Sequence, residues 1–144
     1  MKRLAFIVLF ALLLGLSACS GPDEDEIYEI TDRFFATQIM SILQEPDSYV
    51  GRLVRFEGIL LSIFWAPTDE TIYSVVRFGD DCCGPTDILG LEVYLNNIPP
   101  LPDDTWVEVT GRLEIITVEG YGEVIRINAT SMVQSNNPRV TWGW

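Results

Sequence analysis

Two cysteines stand side by side at Cys82 and Cys83, within the stretch Arg77 to Val93, "RFGDDCCGPTDILGLEV". Asp80, Asp81 and Asp87 flank them, and the chain contains no histidine. Four chemistries fit these residue types. Two thiolates with one or two carboxylates make a metal site, because thiolate sulfur suits Zn²⁺ or Cu(I) and zinc accepts a mixed sulfur and oxygen tetrahedron. Asp87 is the first candidate for the oxygen ligand, and Asp80 or Asp81 the second. The spacing argues the other way, since zinc loops commonly separate their cysteines by about two to four residues. A vicinal disulfide is the second option. Adjacent Cα atoms lie about 3.8 Å apart, below the usual range of about 4.4–6.8 Å for a relaxed bridge. Such a ring is strained and easily reduced, which suits redox sensing. A reactive thiol is disfavoured: carboxylates raise a thiol pKa, and no histidine can act as base. The fourth option is structural, with two small apolar side chains buried in a tight turn that the aspartates cap. The metal site leads these readings, zinc is the cofactor it implies, and no enzymatic reaction is legible.

Neighbours in a regular strand point to opposite faces, so both sulfurs converge on one ion only in a loop. Gly79 with Asp80-Asp81, and then Gly84-Pro85, supply that loop. It joins two strands, "TIYSVVRF" and "LGLEVYL". Three more follow from period-two alternation. In "GRLVRFEGI", Val54 and Phe56 alternate with Arg55 and Glu57. In "TWVEVTGRLEII", Val107, Val109, Leu113 and Ile115 share one face. "GEVIRINA" repeats the pattern with Ile125, Ile127 and Ala129. Gly58 and Gly111 sit inside strands, where glycine marks a bulge or a sharp bend. Ahead of the strands, "EITDRFFATQIMSILQEP" reads as a helix. Thr31 is its N-cap, Phe35, Ile39 and Ile42 form its apolar stripe, and Pro46 stops it. That stripe suits a lid over one end of a barrel. The fold expected is mainly β, a small five-stranded OB-like barrel with one N-terminal helix. The irregular loop "NNIPPLPDD" takes the place of a helix between the third and fourth strands. An immunoglobulin-like sandwich would need about seven strands.

The chain opens "MKRLAFIVLFALLLGLSAC". Lys2 and Arg3 precede an apolar run from Leu4 to Leu14, which is signal-peptide length and short for a bilayer span of about 20 residues. Leu16-Ser17-Ala18-Cys19 resembles the lipobox of bacterial lipoproteins, which implies cleavage before Cys19 and a lipid on its sulfur. Residues 1–18 are then a lipoprotein signal peptide, 19–28 the lipidated cysteine and an acidic tether, and 29–144 the barrel domain. The expected location is the extracytoplasmic face of a cell membrane, held by the lipid. After Cys19, seven basic residues stand against 21 acidic ones, a net charge of −14 with no lysine. Such a polyanion is a poor partner for nucleic acid or for anionic lipid. A cation or a basic protein surface suits it better. Asn128-Ala129-Thr130 matches a glycosylation sequon but lies in a strand, and Trp142 and Trp144 at the C-terminus suit the closing of a barrel base.

The segments "EITDRFFATQIMSILQEPDSYVGRLVRFEGIL", "RFGDDCC" with Asp87 and "GLEV", and "DDTWVEVTGRL" resemble the C-terminal domain of the YcgQ-type permease-subunit family. That bacterial family has no known function, and its genes usually pair with one for a multi-spanning permease. The likeness covers about Glu29 to Pro138, and the Cys-Cys pair followed by an aspartate is its most specific part. Arg77, Cys82, Cys83, Asp87, Gly90, Trp106 and Gly111 match the family's motif. The resemblance implies an extracytoplasmic accessory domain beside a permease, with the cysteine pair at its functional centre. It supplies no substrate. Proteins of this type begin with transmembrane helices, whereas a lipid anchor takes their place here.

Overall fold

The computed structural model describes residues 26–66, 69–79 and 87–136, and the backbone of 141–142. Strands β2 (Leu53–Trp65), β3 (Glu70–Gly79), β4 (Ile88–Tyr94), β5 (Trp106–Val118) and β6 (Gly122–Gln134) form the body. They run in the order β2-β5-β6-β4-β3, and β3 pairs back onto β2 to close the cylinder. The β4–β6 contact is parallel, and the other pairings around the barrel are antiparallel. This is the expected five-stranded, OB-like closed barrel: β2, β5 and β6 lie where alternation placed them, and β3 and β4 flank the cysteine stretch.

Closure depends on β2. Its first half pairs with β5 as far as Ile59↔Trp106, and its second half pairs with β3 from Ile59↔Val76. One strand thus serves two neighbours, and the change of partner falls beside Gly58. A Cβ there would lie 2.6 Å from the Val76 carbonyl oxygen, so the close approach requires glycine. Gly111 meets the second expectation, since the β5–β6 register slips between Thr110 and Gly111.

The inward faces carry Val54, Phe56, Leu60, Val75, Val107, Val109 and Ile127, all at most 1% exposed. Helix α1 (Phe35–Gln44) adds Phe35, Ile39 and Ile42 to the same core, as its apolar spacing indicated. It starts later than the sequence implied, because residues 32–34 form a 3-10 turn. Thr31 precedes that turn without a side-chain capping bond. Its backbone N–H instead donates to Gln38 Oε1 at 2.9 Å, while Gln38 Nε2 donates to the Glu29 carbonyl at 3.0 Å. A glutamine one turn into the helix does the capping.

Two very short strands complete the sheet. β1 (Ile27–Glu29) lies parallel to Leu53–Arg55, and β7 (Thr141–Trp142) lies parallel to Phe78–Gly79. Each covers an edge that the β2–β3 pairing leaves open, and an open edge invites association. The loop 95–105 contains no helix; Ser62 Oγ donates to Asp103 Oδ2 at 2.8 Å and ties it to β2. Among the described residues, no helix is long and apolar enough to cross a membrane.

Candidate functional site

The cysteine stretch leaves from β3 and returns into β4. Phe78 pairs with Ile88, and the Gly79 N–H donates to the Asp87 carbonyl at 2.8 Å. Both ends of the 80–86 link are therefore fastened to one another. Cys82, Cys83, Asp80 and Asp81 lie outside the described residues, as does Cys19, and so do the side chains of Trp142 and Trp144. Asp87 is described: its backbone anchors the return, and its side chain is exposed, with no hydrogen bond or ion pair among the described residues. Among the described residues, no group of three or more acidic, cysteine or histidine side chains is placed to hold a metal ion.

Two residues before Gly79, Arg77 points inward. It follows Tyr73 and Val75 on the core face of β3 and is 1% exposed. A buried guanidinium is costly unless it is paired and hydrogen-bonded. Here Nε donates to the Glu57 carbonyl at 2.8 Å, and Nη2 lies 2.9 Å from Asp32 Oδ1. The cation also lies 4.3 Å from the Phe35 ring centroid and 5.2 Å from that of Trp106, within reach of the ring quadrupoles. Glu57 is the hub of the cluster. Its carboxylate accepts from Trp106 Nε1 and from Ser135 Oγ, each at 3.2 Å. One guanidinium thus ties β3 to β2, to the turn before α1 and to the start of β5. Its charge faces an ion pair and two rings, so it fixes the root of the cysteine link instead of reacting.

Beside this clamp lies a polar cavity of about 290 Å³ bounded by Glu29, Asp32, Arg55, Glu57 and Glu108. Arg55 Nε is buried there without a hydrogen-bond partner among the described residues. Its lining is net acidic, with those four carboxylates against Arg55 and Arg77.

Of the family positions, Arg77 and Trp106 meet in the clamp, whereas Gly90 and Gly111 do structural work. A Cβ on Gly90 would run into the Val75 carbonyl and sit 2.7 Å from Val76 Cα. Asp32, Phe35 and Glu57 were missed as members of the clamp. The one sequence signal was the alternation Tyr73, Val75, Arg77, which puts an arginine on the core face and so demands partners. Nothing local names those partners.

The family profile described as the DUF1980 C-terminal domain matches residues 19–141. No curated protein matches the chain.

Proposed function

We propose the following role for this chain, which belongs to the DUF1980 C-terminal domain family: a lipid-anchored, extracytoplasmic accessory domain that binds a soft metal ion beside a permease. Cys82 and Cys83 supply two thiolates, Asp87 supplies a carboxylate, and Asp80 or Asp81 supplies another. Two sulfurs and one or two oxygens fit Zn²⁺, and no step of catalysis is assigned.

The observation that supports this reading is the root of the link. Gly79 and Asp87 are hydrogen-bonded together, which fixes both ends of the link that carries the cysteines. The Asp87 carboxylate is exposed there and has no partner among the described residues, whereas Asp32 and Glu57 are taken by Arg77, Trp106 and Ser135.

The test is elemental analysis of the purified full-length chain with thiol counts before and after unfolding. Zinc near one per chain, lost in a Cys82→Ser, Cys83→Ser variant and reduced in Asp87→Asn, is the expected result. Two thiols hidden until unfolding, with no metal, would make the turn structural and the domain a non-catalytic interaction module. Thiols that appear only after a reductant is added would identify a vicinal disulfide and a redox sensor.

A further inference from the structure

At the opposite end of β3 from the cysteine link, the outer face of the barrel carries a groove. Glu92 alternates with the buried Leu91 and Val93, so it points away from the core. Its cross-strand partner is Arg126, and Arg126 is in turn the partner of Glu114. One guanidinium therefore serves two carboxylates. It commits to Glu114, with Nε 2.6 Å from Oε1, and lies over the Tyr94 ring at 4.4 Å. Glu92 is left without a hydrogen bond or ion pair among the described residues. Burial raises its carboxyl above the ordinary value, and the attraction of Arg126 only partly offsets that.

The carboxylate lies between two cavities, of about 570 and 310 Å³, that share Glu70, Ile72, Glu92 and Arg126 as a common wall. The smaller has an apolar floor that includes Ile72, Ile116 and Val124, all half-buried on a face that does not belong to the core. Trp65, ending β2, and Tyr121, in the β5–β6 turn, close its rim edge-to-face with ring centroids 5.1 Å apart. Of the six arginines in the described residues, only Arg126 lines the groove.

We propose that this groove binds an organic cation, an ammonium or guanidinium group on an alkyl stem. The stem lies on the apolar floor, the head reaches Glu92 and Glu70, and the rim rings face the positive charge. The molecule already contains this recognition, in Arg126 held between the Tyr94 ring and Glu114 and in Arg77 between Asp32 and the Phe35 and Trp106 rings. A hydrated metal ion would gain nothing from the floor or the rings, and an anion would meet two carboxylates. The site is independent of the metal reading. The same head group occurs on a free polyamine-like solute and on a basic side chain of a partner protein.

The experiment titrates the full-length chain with agmatine and, separately, with the blocked tripeptide Gly-Arg-Gly, at constant ionic strength. Binding is followed by calorimetry and by the indole N–H resonance of Trp65, assigned through its loss in Trp65→Phe. A saturable shift with either probe is expected. Glu92→Gln should weaken binding about tenfold or more and Trp65→Leu about fivefold. Glu70→Gln at the exposed edge tests the same groove should Glu92→Gln fold poorly. Glu45→Gln, at the end of α1, should change nothing. Binding of agmatine alone assigns the free solute, binding of the tripeptide alone assigns a partner side chain, and binding of both assigns the shared head group. No saturable shift with either probe overturns the proposal. Equal weakening by Glu45→Gln and Glu92→Gln also overturns it, since bulk charge alone would then explain the binding.

Discussion

Arg77 ties three parts of the chain together at the root of the cysteine link. Its guanidinium is buried between Phe35 and Trp106, and it is bonded to Asp32 and to the Glu57 carbonyl. Removing a buried partner leaves the remaining polar groups uncompensated, which costs about 3–5 kcal/mol. Asp32 is 38% exposed and recovers water, so Arg77→Ala should fall near the lower end. Arg77→Lys keeps the charge but loses the planar fork and the ring stacking, for a loss of about 1–2 kcal/mol. Urea unfolding measures both, and an Arg77→Ala variant within 1 kcal/mol of the parent would remove the clamp as a structural device. Its inward orientation was legible from alternation with Tyr73 and Val75. Its partners were not, because Asp32 and Glu57 come from segments that meet β3 only when the barrel closes.

Among the elements, β2 decides the architecture. It changes partner from β5 to β3 at Ile59, and the glycines at 58, 90 and 111 let backbones approach where any side chain would collide. Gly90→Ala and Gly51→Ala separate that effect from conformational freedom. At Gly90 the new Cβ meets the backbone of Val75 and Val76, which cannot move aside. Gly51 has φ +82° and open space around it, so alanine there costs only backbone strain, about 1 kcal/mol. The expected order in thermal unfolding is therefore parent, then Gly51→Ala, then Gly90→Ala, with Gly90→Ala low in soluble yield. The reverse order would mean that β3 and β4 can slide apart locally. Period-two alternation revealed β2, β5 and β6 because each buries one face, and the turn residues around the cysteines marked off β3 and β4. β1 and β7, three and two residues long, are too short to show any period. They exist because neighbouring edges need covering, which is a property of the closed sheet and not of their own residues. The helix start moved for a similar reason, since Gln38 reaches back to Thr31 and Glu29.

For the molecule as a whole, charge and anchoring are linked. From Ile72 in the groove to Gly79 at the cysteine link, β3 rises by seven residue steps, roughly 23 Å. Substitutions at one end should therefore leave the other end's binding unchanged. Both ends present acidic side chains, in keeping with a net charge of −14 after Cys19. A surface of that sign is repelled by anionic lipid. In the proposed role, membrane residence falls to acyl chains on Cys19, since two or more anchor stably where one is marginal. A Cys19→Ala variant, expressed beside the parent, should move from the membrane fraction to the soluble one. Its barrel should unfold at the parent's temperature, because residues 27–134 supply the core and the closing pairs. Lowering the salt should not restore it to phosphatidylglycerol vesicles, since weaker screening strengthens repulsion. Retention of the variant in membranes would show that something other than the lipid holds the protein there, and an N-terminal sequence read would separate an uncleaved apolar run from a partner surface.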